Sequence, residues 1–420
     1  MNLVLWHGYL LSGTGSNIYT QHVARSWGRL GHDVRVLCQE PHPERFDLGP
    51  NVRVVRPAIG PLLPTFVVDR YEGLEARHVA DLSQPELDEY LRLNVAALRE
   101  QLRAEPAAMV LANHAIMGGP VARAACGANT PYAIKLHGSE LEYAIRGHPR
   151  LAELARPAVR DAAAIYAGSR HIVEVATDLL GADTLGDRTT VVPPGVDVDD
   201  FRPDGGSRER LLSLLRADRP DEHPERHPDP DAAARLERVG GFVLYFGKLL
   251  RQKGVHLLLE AWRRLSTEHP ELTLVVVGFG AERAWLEAQA GPSVVFTGAM
   301  DHAQLQALIP LAEAVAVPSV LPEAFGMVAA EAASCGVMPV VAAHSGLAEV
   351  AAGLGDAART FDGGAEGLEA ALRGVLAMDP DERRQAGARG RERVVARWSW
   401  GRIAQDLIDG VLVSGGTTPA

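Results

Sequence analysis

The chain starts in the same way twice. Residues 2–6 form a short apolar run. The glycine loop Ser12-Gly-Thr-Gly-Ser-Asn17 follows, then an amphipathic stretch over 18–30 closed by Gly31, then a second apolar run over 33–38. Strand, glycine turn, helix and strand in that order make a βαβ unit, whose strands run parallel. Further strands fit 52–55, 109–112, 132–136 and 163–167, with a helix over 85–104; residues 60–80 have no clean period and read as an irregular excursion. At Val191-Val-Pro-Pro-Gly-Val-Asp197 two prolines and a glycine suit a hinge between domains. Residues 204–240 then read as a polar, proline-rich surface insertion. The rhythm restarts with strands over 242–246, 272–277, 294–296, 314–317 and 338–341, and two helices fit 380–413. The expected class is α/β, with two Rossmann-like domains facing each other across a cleft. Ligands of such sheets bind at the carboxyl ends of the strands.

Charge narrows the partners. The 420 residues carry a net charge of −11, which disfavours general nucleic-acid binding. Residues 1–190 hold 19 basic and 21 acidic residues, so the first half has no strongly basic face for an anionic membrane. No uncharged run reaches membrane-spanning length, and Met1-Asn-Leu-Val-Leu-Trp6 reads as a strand and not a signal peptide. The three cysteines Cys38, Cys126 and Cys335 have no metal-ligand spacing and fit a reducing, cytoplasmic setting.

The chemistry is densest in Pro318-Ser-Val-Leu-Pro-Glu323-Ala-Phe-Gly326-Met-Val-Ala-Ala-Glu331. An apolar strand ends near Pro318, a short loop carries Glu323, and a helix starts near Phe325 or Gly326. Amide groups at a helix start lack intrahelical partners and favour anions, so a phosphate can dock there. Glu331 lies within an otherwise apolar helix face, where a carboxylate needs a partner such as ribose hydroxyls. Lys248 and Lys253 flank a turn after the strand over 242–246. Two ammonium groups there can clamp a diphosphate; the plainer reading is a pair of solvated loop lysines. His137, in His137-Gly-Ser-Glu140, follows a strand and can hydrogen-bond a hydroxyl, or be a satisfied loop histidine; His114 follows another strand end and is a weaker candidate. Gly278-Phe-Gly280 and Gly13-Thr-Gly15 lack the third small residue of a dinucleotide fingerprint, with Arg283 and Ile18 in its place. His223 and His227 have metal-like spacing, but surrounding prolines prevent a helix from aligning them.

Taken together these residues resemble the retaining glycosyltransferase family 4, of GT-B fold. Glu323 and Glu331 match its E-x7-E motif. Gly247-Lys248-Leu249 with Lys253-Gly254 match its phosphate clamp, and Thr14-Gly15-Ser16-Asn17 its first glycine loop. His137-Gly138 match its His-Gly segment, Val192-Pro-Pro-Gly-Val-Asp197 its interdomain segment, and Gly346-Leu347 with Glu349 its Gly-Gly-Leu-x-Glu loop. Lys248 stands where arginine is usual, which replaces a bidentate contact by charge alone, and Thr14 replaces the first of two glycines. The resemblance implies a first domain over 1–193, rejoined by a last helix at about 400–415, and a nucleotide-sugar domain over 194–399. It implies that Glu323 binds donor-sugar hydroxyls, that amides of Phe325, Gly326 and Met327, beside Ala324, hold sugar and phosphate, and that Glu331 grips the ribose. Lys248 and Lys253 neutralise the diphosphate, so no metal and no other cofactor is expected. His137 meets a distal sugar hydroxyl, and Gly15, with Asn17 beside it, approaches the β-phosphate. Gly278, Gly280, Ala299 and Met300 surround the base.

The function expected is retaining transfer of a hexose-type sugar from a UDP- or GDP-sugar to the hydroxyl of a small-molecule or glycan acceptor. The acceptor is expected near 64–78, where Asp69-Arg-Tyr-Glu72 offers polar and aromatic contacts. Two other classes compete. An NAD-dependent oxidoreductase would use Gly13, Gly15 and Glu40, and a non-catalytic nucleotide-sugar-binding protein would bind the donor without transfer.

Overall fold

The computed structural model describes residues 1–420 except 12, 14, 67–72, 128–129, 218–226 and 415–420. Thr14, Asp69–Glu72 and His223 therefore lie outside the described residues. The chain divides into two compact units, Met1–Gly195 with Trp400–Ala420, and Val196–Ser399.

The first unit is built on a parallel sheet. Its strands are β1 (Asn2–Trp6), β2 (Asp33–Leu37), β3 (Val52–Val55), β6 (Met109–Asn113), β7 (Tyr132–Leu136), β8 (Ala164–Ala167) and β9 (Thr189–Val191), while β4 (Leu62–Thr65) and β5 (Glu75–His78) form a separate pair. The order is β3-β2-β1-β6-β7-β8-β9. Chain progression reverses direction between β1 and β6, which register Leu3 on Met109 and Trp6 on Ala112. The strands are apolar because helices cover both faces: Leu3, Val4, Leu5, Met109, Val110 and Leu111 are fully buried. Within residues 60–80 the described residues include a strand pair that the pattern does not suggest. The β4–β5 pair registers Leu62 on Glu75 and Thr65 on His78. Side-chain alternation is absent there because Leu63, Pro64, Thr65 and Phe66 are buried consecutively.

The second unit repeats the plan with β10 (Gly241–Phe246), β11 (Leu272–Val277), β12 (Val294–Phe296), β13 (Ala314–Val317), β14 (Pro339–Ala342) and β15 (Arg359–Phe361), in the order β12-β11-β10-β13-β14-β15. Counted within the unit this is 3-2-1-4-5-6, the doubly wound order. The point where the order reverses lies between β10 and β13.

The stretch over 204–240 is not simply a polar surface insertion. It contains helices Arg208–Arg216 and Ala232–Glu237. The Ser207 hydroxyl caps the first by accepting from Arg210 N (3.1 Å), and Leu211 and Leu212 are buried. Arg208 donates to the carbonyls of Leu236 (3.1 Å), Val239 and Gly240 (3.2 Å). Polar composition hid a helix with a narrow apolar edge.

Residues after Ser399 complete the first unit. Helix Trp400–Ser414 receives Trp27 Nε1–H at the Ala404 carbonyl (2.9 Å) and Tyr166 O–H at the Leu407 carbonyl (2.8 Å). Trp400 stacks on His22 with ring centres 4.9 Å apart. Ile403, Leu407 and Val411 are buried with Trp27 and Val23 in one core. Leu407→Ala is expected to cost about 2–5 kcal/mol through the cavity it leaves. In differential scanning calorimetry this lowers the unfolding temperature of the first unit and leaves the second unit's transition in place.

Candidate functional site

In the second unit the reversal of strand order leaves a crevice at the carboxyl ends of β10 and β13, and the motif residues gather there. Gly254 has φ +71°, and a Cβ on it would sit 1.8 Å from the Pro318 carbonyl oxygen. Only glycine permits both the conformation and the approach. Val320 N also donates to the Gln252 carbonyl (2.8 Å). These contacts lay the segment after β10 on the segment after β13, and Lys253 Nζ lies 2.5 Å from Glu323 Oε1. Two residues 70 apart in sequence thus become an ion pair, both half-buried.

A frame of polar groups fixes Glu323. The Ser319 hydroxyl donates to Glu323 Oε1 (2.6 Å), and Glu323 N donates to the Ser345 hydroxyl (2.9 Å). Gly346 N donates to the Glu323 carbonyl (3.0 Å). His344 bonds the Ser319 carbonyl through Nε2 (2.9 Å) and Ser345 Oγ through Nδ1 (3.1 Å). Ser345 has φ +53°, one of four described non-glycine residues in the left-handed region. That strain is retained where the side chain holds a site residue. Gly346 is required by approach: a Cβ would lie 2.6 Å from Phe325 Cα. Motif matching found neither Ser319, His344 nor Ser345.

The helix Met327–Ser334 starts from Gly326, at φ +116°; the Gly326 carbonyl accepts from Ala329 N (3.0 Å) and Ala330 N (3.2 Å), while the Met327 and Val328 amides have no intrahelical acceptor. Ala324 and Met327 are half-buried, while the Phe325 ring turns inward against Trp398 (centroids 5.4 Å). Glu331 projects from this helix with no hydrogen bond or ion pair to a described residue. Burial pushes its carboxyl up to about 8, although part of the residue still faces solvent. Lys248 is exposed; its carbonyl accepts from the Tyr245 hydroxyl (2.8 Å), and its ammonium has no partner among the described residues.

The glycine loops have structural work. A Cβ on Gly278 would sit 1.8 Å from the Gly247 carbonyl oxygen, and one on Gly280 2.4 Å from that of Leu249. Gly278 N donates to the Gly298 carbonyl (2.8 Å), and Ala299 N to the His227 carbonyl (3.1 Å). The amides of Gly278 and Ala299 are thus bonded within the protein. Met300 is half-buried beside them.

In the first unit a second polar set stands where its strand order reverses, at the ends of β1, β6 and β7. His7, Asn113, His114 and Glu140 are fully buried. His137 N donates to Glu140 Oε1 (3.0 Å), and His137 Nε2 lies 2.7 Å from Asn113 Oδ1. His114, at φ +72°, places Nδ1 3.3 Å from Glu140 Oε2, and its ring lies 4.7 Å from that of His137 and 4.6 Å from that of Phe66. Burial, followed by the neighbouring His114, Lys135 and His7, holds His137 well below the usual histidine range. His7 is lowered to about 3, mainly by burial. Asn17 is turned inward: its Oδ1 meets His7 Nε2 at 2.9 Å. That oxygen is thereby engaged within the first unit. Gly15, the first residue of helix Gly15–Arg29, has open space around it. Sequence reasoning missed His7, Thr20 and Asn113; the signal available was that His7 and Asn113 sit at the ends of adjacent strands.

Glu40 braces a loop, accepting from Leu11 N (3.1 Å) and His42 N (3.0 Å) at 5% exposure. It is thereby withdrawn from the ribose role that the oxidoreductase reading requires. Among the described residues, no three His, Cys, Asp or Glu gather in a way that could hold a metal ion, and no helix is long and apolar enough to cross a membrane.

A family model of glycosyl transferases group 1 matches residues 235–393, and one of the glycosyl transferase 4-like domain matches residues 14–195. The chain belongs to the GT-B glycosyltransferases of the family 4 type. A glycogen synthase from Mycobacterium tuberculosis is 37% identical over 185 residues, 41% of this chain, and the match spans 42% of that relative's length. A D-inositol 3-phosphate glycosyltransferase from Acidothermus cellulolyticus is 28% identical over 421 residues, covering 94% of this chain and 84% of its own. Among solved structures, Anabaena HepE in complex with UDP and glucose aligns at TM-score 0.65 and 18% identity, covering 97% of this chain and 98% of that one. At that identity the likeness is one of fold.

The lone carboxyl of Glu331 makes a pH prediction. Its folded-state value, about 8, lies above its ordinary 4.5. The stability it contributes is complete below about pH 4.5 and is lost as pH rises through about 8. Glu331→Gln mimics the protonated form. It is expected to raise the ligand-free unfolding temperature at pH 8.5, with the gain shrinking towards pH 5.

Proposed function

We propose that the protein transfers a hexose-type sugar, with retention of anomeric configuration, from a UDP- or GDP-sugar to a hydroxyl of a small-molecule or glycan acceptor. The observation that carries this reading is the Lys253–Glu323 pair at the second unit's switch point, beside a helix start and the partnerless Glu331. A diphosphate offers Lys253 a stronger partner than a single carboxylate, and Lys248 is free to join it. Glu323, once relieved of the ammonium, accepts hydrogen bonds from sugar hydroxyls. Ribose hydroxyls give Glu331 the donors it lacks, and a carboxylate so bonded is favoured over the neutral acid. The Met327 and Val328 amides, with those of the preceding Phe325 and Gly326, take sugar and phosphate oxygens. In the first unit, Gly15 leaves backbone open to a phosphate, and His137 meets a sugar hydroxyl.

Charge stabilisation of the departing nucleotide by Lys248, Lys253 and these amides supplies the main acceleration. The lysines take the role a metal ion plays elsewhere, so the reaction is proposed to be metal-independent. Glu323 is tied to Ser319, Ser345 and Lys253 as a binding group. Attack from the leaving-group face, with the departing phosphate accepting the acceptor's proton, follows from that role. The names of the relatives, a glycogen synthase and an inositol phosphate glycosyltransferase, support transfer to a hydroxyl, and the UDP complex of a fold neighbour supports a nucleoside diphosphate donor.

The test is a donor-hydrolysis panel of UDP- and GDP-sugars, followed by an acceptor screen with the donor that is turned over. Lys253→Ala and Glu323→Ala are expected to lower kcat by about 10²–10³-fold with the fold intact by circular dichroism. Activity is expected to survive EDTA. Near-wild-type turnover in either variant, or a trapped glycosyl-enzyme adduct, would overturn the mechanism.

A further inference from the structure

His137 is the end of a hydrogen-bonded chain whose direction is set at its far end. The Ser16 carbonyl can only accept, so Thr20 Oγ1, 2.8 Å away, gives it its proton. The Thr20 oxygen is then left as an acceptor. The Asn113 group 3.0 Å from it must be the amide nitrogen. That nitrogen's second hydrogen is directed at His7 Nδ1, 3.1 Å away, which makes Nδ1 the bare nitrogen of His7 and Nε2 its N–H. The His7 Nε2–H accordingly faces Asn17 Oδ1, an acceptor, at 2.9 Å. With its nitrogen so used, Asn113 presents Oδ1 to His137 Nε2 at 2.7 Å, and an acceptor there requires Nε2 to carry the hydrogen. A reversed Asn113 amide would set its oxygen against the Thr20 oxygen, whose proton is already given. Thr20, His7 and Asn113 are all fully buried, so water is not available to repair such a mismatch.

We propose that Thr20 and Asn113 are positioning residues that hold His137 in the tautomer with Nε2 protonated, so that Nδ1 is offered as a lone pair and the ligand group met there is a hydrogen-bond donor, a hydroxyl, and not a phosphate oxygen. Nδ1 makes no hydrogen bond to a described residue, and the buried ring nitrogens without a partner are those of His114. Burial and the neighbouring His114, Lys135 and His7 keep the ring neutral, which preserves the lone pair. The identity of the hydroxyl as a sugar's rests on the transferase reading; the tautomer does not.

The experiment uses the full-length ligand-free chain labelled with ¹⁵N-histidine. Ring ¹⁵N–¹H correlation spectra are recorded at pH 7, with His137 assigned by the signals lost in His137→Gln. The expected spectrum shows His137 protonated at Nε2 and bare at Nδ1. Thr20→Val removes the anchor and is expected to give mixed tautomers, with kcat/KM for hydrolysis of UDP-glucose or GDP-mannose lowered about three- to tenfold, the worth of one neutral hydrogen bond. Thr20→Ser restores both. Asn113→Asp gives a second reading should Thr20→Val not fold: a carboxylate faces both rings, so His7 is expected to become protonated at Nδ1 while His137 keeps its Nε2 proton. A wild-type His137 protonated at Nδ1, or at both nitrogens, overturns the proposal. So does a folded Thr20→Val with unchanged tautomer and turnover. If the wild type turns over no nucleotide sugar, the transferase reading falls, and the ring spectrum still decides the tautomer.

Discussion

The candidate donor site depends on one close approach, that of the Gly254 backbone to the carbonyl of Pro318. Each of the two segments leaves its strand at the point where the order of the second sheet reverses. The sheet alone would bring them near each other. Direct contact requires a residue with no side chain, in the left-handed region, at the end of the first segment. Once Gly254 is seated, Lys253 has little choice of partner, and Glu323 becomes its counterion. The Ser319 hydroxyl then donates to the same carboxylate oxygen, and the Ser345 hydroxyl holds the Glu323 backbone by accepting from its N–H. Electrostatics finishes an arrangement that backbone sterics begins.

Both units place polar groups at the same topological position, but with different physics. The second unit leaves its groups half-open: Lys253 and Glu323 neutralise each other, and Glu331 is held uncharged by burial. The first unit closes its set into the interior and links Thr20, Asn113, His7 and His137 by a chain of hydrogen bonds, leaving the His114 ring nitrogens without one. Such a chain has a direction, because hydroxyl and amide groups each have distinct donor and acceptor ends. A strained backbone accompanies each set, at Ser345 in one unit and His114 in the other, as is common where side chains are aimed for a task.

Much of this was legible in the sequence. The strands over 132–136, 272–277, 294–296 and 314–317 were readable because apolar runs between glycine loops have few other structures available to them. Glu323, Glu331, Lys248, Lys253 and His137 stood out by spacing. The ion pair did not, since nothing in the spacing of Lys253 and Glu323 tells that they meet. Ser319, Ser345 and Asn113 were invisible because single small polar residues after strands are common, and only their partners distinguish them. The internal bonds of Asn17, Ala299 and Gly278, to His7, His227 and Gly298, were likewise invisible, because each partner lies in a different segment of the chain. The helices within 204–240 were hidden by proline and charge, which report composition and not the two or three leucines that anchor a short helix.

The return of the chain to its first unit has a consequence for biosynthesis. Trp400, Ile403, Leu407 and Val411 fill the same core as Val23, Trp27 and Tyr166, but they are translated some two hundred residues after Gly195. At bacterial or eukaryotic elongation rates the amino-terminal unit waits roughly 10–40 s on the ribosome with that apolar strip uncovered. The second unit, continuous from Val196 to Ser399, is complete before the first. Folding therefore proceeds from the middle of the chain outwards, and the nascent amino-terminal half is a client for whatever chaperone shields exposed aromatic surface until the last helix arrives.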